Sequence, residues 1–219
     1  MSPHTPSLYL FLLGRPAVGK STISKIILRL LDLPEENYFP IDKAHHLLCN
    51  PRAQSPHFYY TETGALIFRD RAAVMREALE WLARAAEIRR REAPQARPLL
   101  FEFAHYDYAE ALAIFGDEAL RHSGILEVVA PLEVARERNQ HRAPVDQVPE
   151  EWLQMAFAAD TSKLAELVAP GRFAQLRNDL KLSPKELEQR VSEALHALGF
   201  LPQRGRAATP KVSSLNRNE

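Results

Sequence analysis

The 219-residue sequence has one cysteine, few glycines and no excess of charge of either sign. Cys49 alone excludes an internal disulfide and a cysteine-rich zinc site, and it suits a reducing cytoplasm, where we expect the protein to reside. The 28 basic residues balance the 28 acidic ones, so the chain has no overall field that would attract long nucleic acid or an anionic membrane. Any affinity for phosphate must therefore be local.

Long apolar runs are also absent. The longest one near the start, residues 8–13, follows no basic segment and is far too short to span a bilayer, so no membrane partner is expected. What is present is 46% apolar residues with 26% charged ones, which excludes disorder throughout and is enough for one substantial core. The length fits a single domain.

Apolar runs alternate with helical periodicities along most of the chain. The alternation predicts a parallel sheet with helices on both faces, an α/β fold. A segment around Pro56, with the aromatic residues 58–60, is expected to be irregular. The predicted strands cover residues 7–13, 38–41, 97–103, 124–129 and 172–176, and the predicted helices cover 20–33, 64–91, 134–142 and 183–198.

The end of the chain carries two local signals. Ser183, Pro184 and Glu186 supply an N-cap, a proline in the first helical position and a capping-box glutamate for the last helix. Residues 203–219 hold four basic residues, one acid and no apolar periodicity. We therefore expect one domain over residues 1–202 and a disordered basic tail over 203–219.

One motif stands between the first predicted strand and the first predicted helix, and it has the pattern G-x-x-x-x-G-K-[ST] with the flanks that this pattern requires. Its backbone N–H groups and the helix N-terminus suit phosphate, Lys20 suits the β- and γ-phosphates, and the Ser21 hydroxyl suits Mg²⁺. An ordinary glycine turn before a helix is the alternative. The predicted nucleotide-binding residues are Gly14, Arg15, Pro16, Ala17, Val18, Gly19, Lys20, Ser21 and Thr22.

With this motif the sequence resembles the P-loop kinases of small molecules and nucleotides, the group that holds shikimate kinase, gluconate kinase, adenylate kinase and chloramphenicol phosphotransferase. The resemblance extends over about residues 7–200. It implies a three-layer P-loop NTPase fold with a mostly five-stranded parallel sheet, helices on both faces and a helical lid. It also implies a substrate-binding insertion at about residues 43–92 and a lid at about residues 136–171.

Two further segments resemble parts of these kinases. Residues 125–142 are similar to a fourth strand and the helix that opens the lid, which makes Arg136, Arg138 and Arg142 the lid arginines for the transferring phosphate. The alternative is a solvated helix face. Asn178 and Asp179 follow the last strand, where such kinases contact adenine, although both residues can equally shape a turn.

Asp42 and Glu102 are the candidate acids, since both stand at or near the carboxyl end of a predicted strand. Asp42 is favoured as the base that orients or deprotonates the acceptor hydroxyl, with a helix N-cap for residues 43–48 as the alternative. Glu102 has roughly the Walker B position, where aspartate is usual. Its role stays open between Mg²⁺ binding through water and substrate binding. The alternative without a functional role is that Glu102 is an ordinary strand-edge residue.

His105 and Asp107 lie just beyond the same strand, at the edge of the sheet where open α/β proteins bind ligands. Both are candidate acceptor-binding residues, and Asp107 can equally cap the following helix. In the insertion, Arg69 and Arg71 are weaker candidates for acceptor contacts.

These residues together predict an ATP-dependent kinase that uses Mg²⁺ and transfers the γ-phosphoryl group to a hydroxyl or phosphate of a small-molecule or nucleotide acceptor. The alternative is a nucleotide-binding switch or regulatory ATPase whose partner is a protein. A degenerate binding module without turnover is a third interpretation, favoured if Asp42 and Glu102 both face away from the P-loop.

Overall fold

A computed structural model describes residues 8–50, 55–61, 66–92, 97–143, 147–179 and 182–202. The described residues contain strands β1 (Tyr9–Gly14), β2 (Tyr38–Pro40), β3 (Phe58–Tyr60), β4 (Leu66–Phe68), β5 (Leu99–Phe103), β6 (Ser123–Val129) and β7 (Phe173–Arg177). Five of them form one parallel sheet in the order β2-β5-β1-β6-β7, and β3 and β4 form an antiparallel pair. The predicted five-stranded parallel α/β sheet is thus confirmed.

Helices cover both faces of the sheet. On one face, α1 and α8 contribute Ile23, Ile27, Val191 and Leu195 to a core cluster, and on the other face α3 and α4 pack against the aromatic side chains of β1 and β5. The helices are α1 (Lys20–Leu30), α2 (Ile41–Leu48), α3 (Arg71–Glu92), α4 (Tyr108–Ala113), α5 (Gly116–Arg121), α6 (Leu132–Gln140), α7 (Glu150–Ala158) and α8 (Pro184–Ala197).

The central strand β1 explains why the first apolar run has no period of two. Leu10, Phe11, Leu12 and Leu13 are fully buried, because β1 pairs with β5 on one side and β6 on the other and has helices above and below. Phe11 stacks on Phe101 of β5 with ring centres 5.1 Å apart. The carboxyl end of β1 therefore has a rigid support.

The insertion differs from its prediction in two places. The aromatic segment is not irregular, since β3 pairs with β4 in register from Phe58 opposite Phe68. Helix α3 begins at Arg71, because the Asp70 carboxylate accepts the backbone N–H of Ala73 at 2.9 Å and so caps the helix there. The predicted helix start at Gly64 lies outside the described residues.

The predicted start of the last helix is confirmed. Ser183 is the N-cap of α8 and exchanges hydrogen bonds with Glu186 as a capping box, with Pro184 in the first turn. The predicted tail, residues 203–219, lies outside the described residues. Each helix in the described ranges is too short or too polar to cross a membrane.

Candidate active site

The loop between β1 and α1, residues 15–19, requires glycine on either side of its turn: Gly14 is the last residue of β1, and Gly19 is the last residue of the loop. A Cβ on Gly14 would lie 2.5 Å from the carbonyl oxygen of Val128, which belongs to the neighbouring strand. Gly19 has φ 98°, and a Cβ there would lie 2.4 Å from Nδ2 of Asn178. The two glycines of the motif thus let the loop lie close to the ends of β6 and β7.

Lys20 lies at the centre of this loop. Its Nζ donates to the carbonyl oxygens of Gly14 and Arg15, each at 3.0 Å, so the loop curves around the ammonium group. Burial lowers the pKa of Lys20 to about 8, against the opposing influence of the Glu102 and Asp42 carboxylates, while Arg142 lowers it further. The ammonium is therefore held where an anion bound by the loop would meet it.

Glu102 of β5 is buried, and a hydroxyl group contacts each of its oxygens. The Ser21 hydroxyl donates to Oε1 at 2.9 Å, and the Tyr38 hydroxyl donates to Oε2. Ser24 lies 3.1 Å from the Tyr38 oxygen. Burial, with the nearby Glu102 charge, raises the pKa of Tyr38, so its hydroxyl stays a donor. Glu102 thus faces the P-loop side of the sheet and is fully partnered.

A second tyrosine supports the start of the loop from the other face of the sheet. The hydroxyl of Tyr108 accepts the backbone N–H of Gly14 at 3.0 Å. Burial raises the pKa of Tyr108 to about 12, so the phenol is neutral in ordinary buffers. The sequence offered no signal for this contact, because the two residues are 94 positions apart.

The far side of the loop is held through the carbonyl oxygen of Val18. Asn178 Nδ2 donates to it at 2.7 Å, and Arg138 Nη1 donates to it at 3.0 Å. The backbone N–H of Asn178 also donates to Val129 at the end of β6, at 2.8 Å. Asn178 and Arg138 therefore both contact the P-loop itself.

A cleft of about 460 Å³ opens beside the loop and brings most of the predicted chemistry together. Its polar lining includes Lys20, Ser21, Asp42, Glu102, His105 and Arg142. Its apolar lining includes Ile41, Met75, Phe103, Trp152 and Met155. Residues predicted on four separate segments of the chain thus share one cavity.

Asp42 lies in the first turn of α2 and is exposed at this cleft. The alternative role as an N-cap does not apply, since α2 begins at Ile41 and Pro40 has the N-cap position. Asp42 raises the pKa of Lys20, which puts the carboxylate within electrostatic reach of the P-loop. Asp42 and Glu102 therefore both face the loop, against the interpretation of a degenerate module.

His105 lines the cleft. Burial lowers its pKa, although its hydrogen bond with the Asp107 backbone opposes that shift. The contact that opposes the shift joins Nδ1 to the carbonyl oxygen of Asp107 at 2.5 Å; the backbone nitrogen of Asp107 lies 3.0 Å from the same Nδ1, and the ring stacks on Tyr106 at 4.4 Å. Asp107 itself caps α4, because its carboxylate accepts the Glu110 N–H at 3.0 Å.

Two other predicted site residues form ion pairs with residues close to them in the same chain. Arg136 pairs with Glu150 at the start of α7, at 2.6 Å, and neither lines the cleft within the described residues. Asp179 pairs with Arg177 at 2.6 Å. Of the three arginines predicted to belong to a lid, the structure places Arg142 at the cleft and Arg138 at the P-loop.

One wall of the cleft is formed by a contact between α3 and α7 that the sequence did not predict. Arg71, the first residue of α3, lies with its guanidinium carbon 4.0 Å from the ring centre of Trp152 on α7. Burial lowers the pKa of Arg71. The sequence marked Arg71 only as a weak candidate and gave no signal for Trp152, because α7 approaches from a segment distant in sequence.

Comparisons with known proteins give a fold but no close relative. No protein-family model matches the sequence, and no curated protein matches it in sequence.

Solved structures of small-molecule kinases match over nearly the whole chain. A sugar kinase from a Janibacter species has a TM-score of 0.52 and 20% identity, and the match covers 90% of this chain and 97% of that one. Shikimate kinase from Bacteroides thetaiotaomicron has a TM-score of 0.52 at 15% identity, with 88% and 98% covered. A gluconokinase from Sinorhizobium meliloti has 0.52 at 16%, with 89% and 94% covered. The chain thus has the α/β fold of P-loop small-molecule kinases, as predicted.

Proposed function

From this fold and site, we propose that the chain is an ATP-dependent phosphotransferase that moves the γ-phosphoryl group to a hydroxyl or phosphate of a small acceptor. A shared fold alone does not fix an activity, so the support must come from the site. The observation that carries the proposal is the single cleft that Lys20 and Ser21 share with Asp42. A phosphate-binding loop and a candidate base thereby face the same cleft.

ATP is the proposed phosphoryl donor. The loop curves around Lys20, whose ammonium already contacts two loop carbonyls at 3.0 Å, and the N-terminus of α1 adds partial positive charge at the same point. When the triphosphate binds, its oxygens would replace these two carbonyl oxygens as the hydrogen-bond acceptors of the ammonium. Glycines at positions 14 and 19 let the loop lie against Val128 and Asn178, which supports its curved conformation around the ammonium.

The residues at the loop also fit Mg²⁺. The Ser21 hydroxyl is exposed and lies 2.9 Å from Glu102 Oε1, so two hard oxygen ligands meet at one point. In the described residues, no three acidic, histidine or cysteine side chains cluster as a metal site of their own, which suits an ion held partly by phosphate and water. When bound, Mg²⁺ would neutralise charge on the β- and γ-phosphates.

The acceptor is proposed to occupy the cleft. Its volume of about 460 Å³ is within the range of small-ligand sites, roughly 300–1,000 Å³. Asp42 would accept the proton of the acceptor hydroxyl, or orient it, and Arg142 would contribute positive charge to the transferring group. Arg136, which pairs with Glu150, would join the transferring phosphate as a third arginine after a movement of the lid.

The proposal is tested by acceptor-dependent release of ADP from ATP and Mg²⁺, screened with a panel of sugars, hydroxy acids and nucleosides. We expect stimulation by one chemical class. Lys20→Ala should lower the stimulated rate at least about 100-fold through lost charge at the phosphates, and Asp42→Asn about 100- to 10,000-fold through the lost base.

Lys25→Ala, at an exposed position on the same helix, and Asp117→Asn, on exposed α5, are matched controls and should retain the wild-type rate. Slow hydrolysis that no acceptor stimulates would contradict the transferase and favour the nucleotide-binding switch. The cleft beside the P-loop is the observation that favours transfer, because a switch does not need an acceptor cavity.

A further inference from the structure

Tyr38 is a residue that the motif did not predict, and it lies at the metal-binding end of the site. It opens β2, which pairs with β5 so that Tyr38 lies opposite Leu100 and Pro40 opposite Glu102. Residues two positions apart on a strand share a face, so Tyr38 and Glu102 lie on the same face of the sheet. This is the face that α1 covers, and Tyr38 packs against its core cluster.

The hydrogen bonds around Glu102 have only one consistent direction. A carboxylate can only accept, so Ser21 donates to Oε1 and Tyr38 donates to Oε2. Since the Tyr38 hydroxyl donates its one hydrogen to Glu102, its oxygen can only accept from Ser24, which is 3.1 Å away and almost fully buried, and the Ser24 hydroxyl also lies 3.2 Å from the carbonyl oxygen of Ser21. Each oxygen of Glu102 thus has its own hydroxyl partner.

The two partners differ in what they can do next. Ser21 is exposed in the first turn of α1, so its hydroxyl can turn from Glu102 towards a cation. Tyr38 is held by its strand and by Ser24, and it contacts the other oxygen only. A glutamate has one more rotatable bond than the aspartate usual at this position, so its carboxylate needs an additional restraint to stay aligned.

We propose that Tyr38 is a positioning residue that fixes Oε2 of Glu102 and thereby presents Oε1 to the cation on Ser21. This inference rests on the nucleotide and Mg²⁺ part of the proposed function. In this role, Tyr38 and Glu102 on neighbouring strands would together do what a single aspartate does at the Walker B position. The role is carried by the geometry of two hydroxyl groups on the Glu102 carboxylate, those of Ser21 and Tyr38, with Ser24 behind the second.

The test is a binding measurement. Mn²⁺ is titrated into the protein with a non-hydrolysable ATP analogue and its free fraction is followed by electron paramagnetic resonance. Tyr38→Phe should weaken Mn²⁺ binding about 10- to 100-fold, as the loss of an outer partner of a metal ligand does. Binding of the analogue in EDTA should stay within about twofold of the wild type, because the phosphate seat itself is untouched.

Tyr60→Phe is the matched control, since it removes a phenol hydroxyl that donates to the carbonyl of Cys49 in the insertion. It should leave Mn²⁺ binding unchanged. Glu102→Gln separates a direct role of Tyr38 from one exerted through the carboxylate. In that background, Tyr38→Phe should cause no further loss, and an undiminished second loss would overturn the proposal.

Ser24→Ala provides a second variant in case Tyr38→Phe does not fold. It removes the hydrogen bond that the Tyr38 oxygen accepts and should weaken Mn²⁺ binding about threefold, in the same direction. Unchanged Mn²⁺ affinity in both variants would overturn the role of Tyr38 while leaving the proposed function intact. If the wild type binds no Mn²⁺ with the analogue, the proposed function itself fails.

Discussion

At Lys20, the same burial that brings the ammonium into the loop lowers its pKa to about 8, well below the 10.5 of a free lysine. Below pH 8 the side chain is charged in the folded protein. Between pH 8 and 10.5 the folded protein holds fewer protons on this group than the unfolded chain does. Its stability should therefore rise with pH across that window, while its attraction for phosphate falls.

Triphosphate binding should reverse this shift, because the phosphates favour the charged ammonium. At pH 8.5 we expect binding of the ATP analogue to take up as much as about 0.8 proton per site, and at pH 6.5 almost none from this group. Calorimetry in buffers of different ionisation enthalpy measures the uptake. Lys20→Met should abolish it, whereas Lys25→Met should not. Equal uptake in the wild type and Lys20→Met would assign the proton to another group.

The residues that the sequence could identify are those whose neighbours in the chain define them. Lys20 and Ser21 belong to a contiguous motif, and Glu102 stood out as a carboxylate within an apolar run. Tyr38 and Trp152 could not be identified this way, because each acquires its role from a partner on another element. Asn178 was predicted near adenine, but its amide contacts the carbonyl of Val18 in the P-loop.

At the scale of elements, β7 and α6 converge on the Val18 carbonyl through Asn178 and Arg138. Asn178→Ala should destabilise the protein by about 1–3 kcal/mol, because a buried hydrogen bond is lost, and should also weaken nucleotide binding. Urea unfolding and nucleotide titration measure the two effects. The prediction requires that the loop conformation depends on this contact.

Asn37→Ala is the matched control for this variant. Its buried amide donates to the carbonyls of Arg97 and Pro98 at 3.1 and 3.3 Å, before the start of β5 and away from the P-loop. It should lose stability on the same scale and keep its nucleotide affinity. If both variants bind nucleotide like the wild type, Asn178 does not hold the loop in its binding conformation.

The elements that sequence patterns identified have a contiguous apolar run, a helical periodicity or a local cap in the sequence. The five parallel strands and α8 with its capping box follow from apolar runs and a local cap. Strands β3 and β4 have three residues each and stabilise one another by pairing, so neither has a periodicity that could be recognised. The start of α3 depends on the Asp70 cap rather than on its apolar stripe.

At the scale of the whole molecule, the strand order brings the functional segments together. Alternation of strands and helices predicts parallel pairing, but it does not give the order in which strands lie side by side. In the order β2-β5-β1-β6-β7, the P-loop follows the central strand and Glu102 ends an adjacent one. The cleft is therefore a product of topology, and only the separate residues could be predicted.

Nucleotide binding should stabilise the whole fold. At an ATP analogue concentration 100 times the dissociation constant, with Mg²⁺, the gain is about 2.7 kcal/mol, which raises the melting temperature by about 5–10 °C for a chain of this size. Differential scanning fluorimetry measures the shift. Lys20→Ala should lose most of it at the same concentration and Lys25→Ala should keep it. No shift for the wild type at millimolar analogue would contradict a nucleotide site.

The contact between Arg71 and Trp152 joins α3 to α7 at 4.0 Å, where both residues line the cleft. A cation held against an indole alters the light that the indole emits, and any molecule that separates the pair removes that influence. The other tryptophan, Trp81, packs against the core instead. We therefore expect the fluorescence of Trp152, measured without an attached dye, to change when a molecule in the cleft separates the pair.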